Sequence, residues 1–229
     1  MTFGERVIDF YGSLELVLRF QNSIRVMNPY TDKKVQKVLN QFYRAYYTDQ
    51  RKRVFIFGIN PGRFGAGVTG IPFTDPIRLS EVCGIKNDFK QLQELSSVFI
   101  YEMIKAYGGI NFFCSHFYIT AVCPLGFIRD GKNLNYYDDK KLQSSLQPFI
   151  SSNISKQLAF GTTDETCICL GEGKNFDYLE KLNVEKKMFK QIIPLPHPRW
   201  IMQYRRKSMR EYVDTFVSTL KKQINYLDE

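Results

Sequence analysis

Two short loops contain the residues whose types and spacing could support chemistry. Asn60 is a neutral amide that directly follows an apolar run and is fixed by Pro61, in a segment where residues 58–70 hold five of the chain's 15 glycines. His197 stands between two prolines after another apolar run. Glycines let a backbone approach a ligand closely, and an imidazole can donate or accept a proton near neutral pH. Both loops are therefore predicted to belong to a functional site.

Plainer interpretations of both loops stay open at this point. The glycine-rich segment could be an irregular connection, and a lone histidine is often structural. A phosphate-binding loop of the G-x-x-x-x-G-K-[ST] type is excluded, because no lysine follows a glycine in residues 58–73.

Four apolar runs closed by glycine or proline predict the strands that must position these loops. The runs are 53–57, 117–122, 166–170 and 191–193. They alternate with helical patterns, which indicates an α/β fold with a mainly parallel sheet. In such sheets the functional groups lie beyond the carboxyl ends of the strands, where Asn60 and His197 occur.

Helical spacing of apolar residues predicts five helices, and no repeat or linker divides the single predicted domain, 1–229. The stripes are Val7–Leu18, Val35–Tyr46 with a cap at Thr31, Leu92–Met103 with a cap at Asp88, Leu142–Ile150 ending or kinking near Pro148, and Val213–Ile224 behind a capping box of Ser208 and Glu211.

Charge and cysteine content narrow the class of protein. The 229 residues carry 32 Lys+Arg against 23 Asp+Glu, a net charge of +9, which favours a polyanionic partner such as nucleic acid. No run approaches the roughly 18 apolar residues of a membrane span. The five cysteines lack C-x-x-C spacing, which argues against disulfides or a zinc site, and Cys167 and Cys169 are expected to share one face of a strand in a reducing compartment.

The two loops resemble the signature motifs of a known family. G-I-N-P-G-R-F-G-A-G-V-T-G-I-P-F, from Gly58 to Phe73, and the later His197-Pro198 are similar to the motifs of the single-strand-selective monofunctional uracil-DNA glycosylases, within the wider uracil-DNA glycosylase superfamily. Cys123-Pro124-Leu125 and Leu170-Gly171 also match. The resemblance spans Val54 to about Arg199.

This resemblance implies a three-layer sandwich, with a four-stranded parallel sheet between helices and a base pocket at the carboxyl ends of the strands. It implies that Asn60 holds the attacking water and that Phe73 stacks on a base flipped out of DNA. Backbone N–H groups near Ile59 and Gly62 would meet the carbonyl groups of the base, and His197 would hydrogen-bond the departing base. DNA, single- or double-stranded, is the implied partner of a monomer without cofactor or metal.

The residue types fit this chemistry. Ordinary glycosidases use two carboxylates, which neither loop offers, since Asp75 is the nearest acid. A deaminated base can leave as an anion, so a neutral donor such as His197 suffices. Its pKa would have to be kept low by positive charge, from Arg199 or from a helix N-terminus. Neither motif has a lysine for a Schiff base, so plain hydrolysis is expected.

The segment after His197 is predicted to contact DNA. Residues 199–210 carry five cations, no acid and the only tryptophan of the chain. A solvated helix face is the alternative, but cations interleaved with aromatic rings suit phosphate contacts and a wedge in the base stack. The expected DNA-binding residues are Arg199, Trp200, Arg205, Arg206 and Lys207.

The chain departs from the resembling family at two positions. Ala121 stands where the family has a base-reading asparagine, and Arg199-Trp200 replaces the Ser-Pro that follows its His-Pro. Alanine cannot hydrogen-bond a base edge, so we expect a broader pocket that accepts xanthine as well as uracil. Thr120, Asn133 or Asn135 could supply the missing contact.

Two other functions compete with this interpretation. One is a relative that binds nucleic acid with weak or no catalysis, which the presence of both Asn60 and His197 opposes. The other is a nucleotide-binding hydrolase that uses the glycine-rich loop, for which no nucleophile or phosphate-binding lysine is found.

Overall fold

A four-stranded parallel sheet forms the centre of the molecule in a computed structural model that describes residues 1–18, 20 and 23–227. Its strands are β2 (Arg53–Gly58), β3 (Phe117–Ala121), β6 (Thr162–Leu170) and β7 (Gln191–Leu195). They are arranged in the order β3-β2-β6-β7. All six residues of β2 are buried, as expected of a strand covered on both faces.

The predicted sheet is confirmed, with each of the four apolar runs forming a strand. Cys167 and Cys169 pair with Phe55 and Phe57 of β2 and are both buried, as their spacing predicted. All five cysteines are free and buried. None of the described helices is long and apolar enough to cross a membrane.

Helices flank the sheet, and two of them bear directly on the site. A helix of four residues lies within the glycine-rich loop, and a helix of seven residues follows β7. The helices are α1 (Phe3–Gly12), α2 (Lys33–Tyr46), α3 (Ala66–Thr69), α4 (Pro76–Glu81), α5 (Leu95–Tyr107), α6 (Ile110–His116), α7 (Lys140–Leu158), α8 (Lys174–Lys186), α9 (Pro198–Tyr204) and α10 (Met209–Gln223).

A second, antiparallel sheet of short strands was not predicted. It consists of β1 (Arg25–Met27), β4 (Gly126–Arg129) and β5 (Lys132–Leu134), in the order β1-β4-β5. Strands of three or four residues carry too little alternation to be recognised in the sequence. This sheet matters for the site because β5 leads into the residues that hold Asn60.

Several predicted helix boundaries are wrong. The first helix ends at Gly12, so Leu14 and Leu18 lie outside it. Asp32, not Thr31, caps α2 by accepting the Lys34 N–H. Asp88 caps nothing, since α5 begins only at Leu95.

Two further predictions at helix ends fail for physical reasons. Pro148 does not end α7, which continues to Leu158 because Ile150 and Ile154 remain buried against the core beyond the proline. Ser208 is at the N-cap position of α10, but its side chain makes no capping hydrogen bond. It belongs to the 3₁₀ turn of residues 206–208, and its backbone (φ −96°, ψ 17°) lacks the extended conformation of a typical N-cap.

Candidate active site

A cavity of about 360 Å³ opens at the carboxyl edge of the parallel sheet. It contains the predicted pair Asn60 and His197, which are 137 positions apart in the chain but follow strands of the same sheet. The other predicted residues that line this cavity are Ile59, Gly62, Phe73, Ala121, Arg199 and Trp200.

Asn60 is held by the segment that follows the small sheet. Its Oδ1 accepts the backbone N–H of Tyr136 at 3.1 Å, and its Nδ2 donates to the carbonyl of Leu134 at 3.3 Å. These two hydrogen bonds fix the orientation of the amide. If its oxygen and nitrogen were exchanged, the NH₂ group would face an N–H donor and the oxygen would face a carbonyl oxygen. Oδ1 keeps a second lone pair, so the amide can still accept a hydrogen bond from a water.

His197 forms the N-cap of α9, and this position fixes its tautomer. Its Nδ1 accepts the backbone N–H of Arg199 at 3.1 Å, so the proton of the neutral ring lies on Nε2. Burial is the main cause that lowers the pKa of His197 to about 4, and the Arg199 charge adds to it. The expected low pKa is therefore present, but burial outweighs the positive charge that we expected to cause it.

Phe73 and His197 lie side by side in the cavity. Their ring centroids are 5.8 Å apart and the rings are inclined at 48°. Phe73 adopts φ = +52°, a conformation that costs an L-residue energy and is concentrated at functional sites. Gly58 makes room for this ring, because a Cβ on Gly58 would lie 2.9 Å from Phe73 Cε2. The cavity thus contains an aromatic face, that of Phe73, next to an N–H donor, that of His197.

The inner end of the cavity is formed by Tyr11, Tyr30 and Ala121, which we call the pocket floor. The two tyrosine rings stack with centroids 4.4 Å apart, and both are buried. Burial keeps their pKa values above the ordinary value, so both hydroxyls stay protonated. Sequence reasoning missed them because they lie in the N-terminal segment, outside the recognised motifs.

Thr120, Asn133 and Asn135 are the side chains that could supply the contact missing at position 121. Asn133 and Asn135 both line the cavity. Asn133 Oδ1 accepts the N–H of Arg63, so its Nδ2 remains to donate. The Thr120 hydroxyl is buried and donates to Gln157 instead, which leaves Asn133 and Asn135 as the available amides.

Glu94 is a third polar residue of the site, which sequence reasoning missed. It directly precedes α5 and lines the cavity with its carboxyl group. A Cβ on Gly65 would overlap this carboxylate, and one on Gly62 would lie 3.2 Å from Oε1. Two glycines of the first motif therefore give Glu94 its place. We call Asn60, Glu94 and His197 the polar wall.

The predicted DNA-binding residues divide between two positions. Arg199 and Trp200 lie on α9 and line the exposed mouth of the cavity. Arg205, Arg206 and Lys207 form an exposed turn after α9 and do not line it. The Arg205 guanidinium lies 5.2 Å from the Trp200 ring centroid, which joins the turn to the mouth.

Comparison with known proteins identifies the family. The model of the uracil DNA glycosylase superfamily matches residues 45–221, so the chain belongs to that superfamily. Among solved structures, the crystal structure of wild-type SMUG2 from Pedobacter heparinus is 46% identical in sequence. That match covers 98% of this chain and 99% of the other, with a TM-score of 0.95. No curated protein matches the chain.

Family membership and the similar structure establish the class of enzyme. The protein is a DNA glycosylase, a hydrolase that acts on N-glycosyl bonds, and its partner is DNA. The first part of the pocket floor, Tyr11 and Tyr30, precedes the 45–221 match and is therefore not part of what the family model describes.

Proposed function

We propose that this enzyme excises deaminated bases, uracil foremost, after the nucleotide has been flipped out of DNA into the cavity. The observation that carries the proposal is the neutral, oriented imidazole of His197 beside the ring of Phe73. A base stacked on Phe73 would lie within reach of the Nε2–H donor, which can stabilise the charge that develops on a departing base.

Asn60 would orient the water that attacks the sugar. Its amide is fixed by Leu134 and Tyr136 and has one lone pair of Oδ1 to spare. An oriented water avoids the entropy cost of capture during the reaction. The DNA phosphates would stabilise the positive charge on the sugar.

The pocket floor supports a broad choice of base. Ala121 offers no polar group to a base edge, so a base that lacks the matching group is not penalised. Recognition would come from Phe73 and His197, together with the Nδ2 group of Asn133 and the side-chain amide of Asn135. On this basis we propose that xanthine is accepted together with uracil.

One copy of the chain supplies every group named here, and we propose that it acts as a monomer on damaged DNA.

The test is incubation of the protein with oligonucleotides that carry one uracil, hypoxanthine or xanthine, single- and double-stranded, followed by alkali to cut abasic sites. We expect cleavage at uracil and xanthine. An undamaged oligonucleotide is the control. If no lesion is released at high enzyme concentration, the proposed choice of deaminated bases is wrong, and if uracil alone is released, the broad pocket is wrong.

A further inference from the structure

Hydrolysis of the glycosidic bond requires a water to lose a proton, and the proposed function on which this inference rests assigns no group to accept it. The Asn60 amide can orient a water but cannot take up its proton. The Nδ1 of His197 is occupied by the Arg199 N–H, and its Nε2 already carries a hydrogen. A proton acceptor must therefore be sought elsewhere in the cavity.

Among the described residues that line the cavity, Glu94 has the only carboxyl group. The other groups there are poor acceptors, since burial keeps the hydroxyls of Tyr11 and Tyr30 protonated and a guanidinium such as that of Arg199 has donors only. Tyr204 is largely exposed at the mouth. The carboxyl group of Glu94 is thus the sole candidate by elimination.

Glycines of the first motif loop leave room for the side chain of Glu94. Its carboxylate packs against Gly62 and Gly65, which follow Asn60 by two and five residues. Its Oε1 and the Nδ2 of Asn133 lie 3.2 and 3.4 Å from the point where a Gly62 Cβ would stand. The backbone of Gly62, two residues after Asn60, therefore packs between an acceptor, the Glu94 carboxylate, and a donor, the Asn133 amide.

The surroundings of Glu94 tune it for proton transfer. Its N–H donates to Asp75 at 2.9 Å, and Ser97 Oγ donates to its Oε2 at 3.3 Å. Burial raises the pKa of Glu94 to about 7; Ser97 and Arg199 oppose this rise, and Asp75 adds to it. His197, the other titratable group of the polar wall, is neutral at this pH. A general base works best when its pKa lies near the operating pH.

We propose that the Glu94 carboxylate accepts the proton of the attacking water that Asn60 orients. The water oxygen bonds to the sugar C1′ while the C1′–N bond breaks and its electron pair leaves with the base. One water proton passes to Glu94, and the departing anion is stabilised by His197 Nε2–H. The proton on Glu94 then neutralises the released base or passes to solvent, which restores the carboxylate.

The test is the pH dependence of single-turnover excision of uracil by wild type and by Glu94→Gln, which keeps the shape of the side chain. For wild type we expect the rate to rise about tenfold per pH unit below an apparent pKa near 7 and then level off. Glu94→Gln should be about 10²–10³-fold slower at pH 8, with a flat profile. The matched control is Glu102→Gln, an exposed glutamate of α5, the helix that Glu94 directly precedes, and it should behave as wild type.

A second variant keeps the test decisive if Glu94→Gln does not fold. Ser97→Ala removes the hydrogen bond that lowers the pKa of Glu94, so the inflection of the rate profile should move to higher pH. A Glu94→Gln rate within threefold of wild type, or an unmoved inflection in Ser97→Ala, overturns the proposal. If wild type excises no base, the proposed function fails first. If wild type excises uracil and these variants do not differ from it, only the role of Glu94 fails.

Discussion

The polar wall and the pocket floor of the cavity differ in how they are built. Asn60 and His197 are each held by a backbone N–H group, that of Tyr136 in the segment after β5 and that of Arg199 in the first turn of α9, respectively. The floor has two stacked tyrosines, both buried, and an alanine. The wall lies within the segment that the family model matches, whereas Tyr11 and Tyr30 precede it.

This difference suggests that the polar wall performs the reaction and that the pocket floor determines which base is accepted. Groups that act on the bond must be held within a fraction of an ångström, and their hydrogen bonds to backbone achieve this. A floor that contributes shape and aromatic surface can vary without loss of the reaction. Changes in the wall should therefore alter rates, and changes in the floor should alter which base is released.

The largest effect is expected from Asn60→Ala in the polar wall. Loss of the group that orients the water should slow excision about 10²–10⁴-fold. Affinity for abasic product DNA should stay within threefold, because the exposed cations are untouched. The rate is measured in single-turnover reactions, with Asn40→Ala on α2 as the control. An Asn60→Ala rate close to that of the control would remove Asn60 from the mechanism.

The sequence predicted the parallel sheet and the wall residues that follow its strands. Runs such as 53–57 are long, apolar and closed by glycine, and parallel strands bring their carboxyl ends to one edge. Asn60 and His197 could therefore be paired without knowledge of distances. The motif resemblance supplied Phe73 and Ala121.

The remaining features depend on contacts between distant parts of the chain. Glu94 lies 34 residues after Asn60, inside the stripe Leu92–Met103 that predicts a helix, where a glutamate is typical of a solvated face. Only the folded loop places it against Gly62 and Gly65. Tyr11 and Tyr30 look like ordinary helix and loop aromatics until they stack. The main cause of the low pKa of His197 was also missed, since burial cannot be derived from neighbouring charges in sequence.

A change at the edge of the pocket floor should alter base choice. Ala121→Asn restores an amide that can read a base edge, so the ratio of uracil to xanthine excision should rise roughly 10–100-fold, less than the full penalty for an unpaired polar group. Single-turnover rates on the two lesions give the ratio. Ala106→Asn, on the exposed side of α5, is the control. An unchanged ratio would show that position 121 does not face the base.

Removal of cations outside both regions should affect binding alone. In the variant with Arg205, Arg206 and Lys207 replaced by Ala, we expect about tenfold weaker DNA binding and a salt dependence shallower by roughly two to three units of slope. The ratio of uracil to xanthine excision should not change.

The matched control for this variant removes three cations from other helices. Lys156, Lys181 and Lys186 lie on α7 and α8, away from the turn after α9, and are exposed. Their replacement by Ala should leave most of the salt slope intact. Equal slopes for the two triple variants would mean that the turn at 205–207 has no special contact with DNA.

The last effect of a single variant concerns the pH dependence of stability. The folded pKa of His197, about 4, lies below its ordinary value of 6.5, so the unfolded chain binds this proton first as the pH falls. His197 therefore makes the folded state less stable between pH 6.5 and 4. In urea unfolding over this range, His197→Gln should lose less stability than wild type. Parallel curves for the two proteins would show that His197 is not buried as a neutral ring.

The most direct test of the division within the polar wall compares two leaving groups. Uracil and 5-fluorouracil are excised from otherwise identical oligonucleotides by wild type, His197→Ala and Asn60→Ala in single-turnover reactions. If His197 stabilises the departing anion, His197→Ala should lose about 10²–10³-fold on uracil but much less on 5-fluorouracil, whose anion is already more stable. Asn60→Ala should lose the same factor on both. Equal losses of His197→Ala on the two bases would contradict the assignment of His197 to the leaving group.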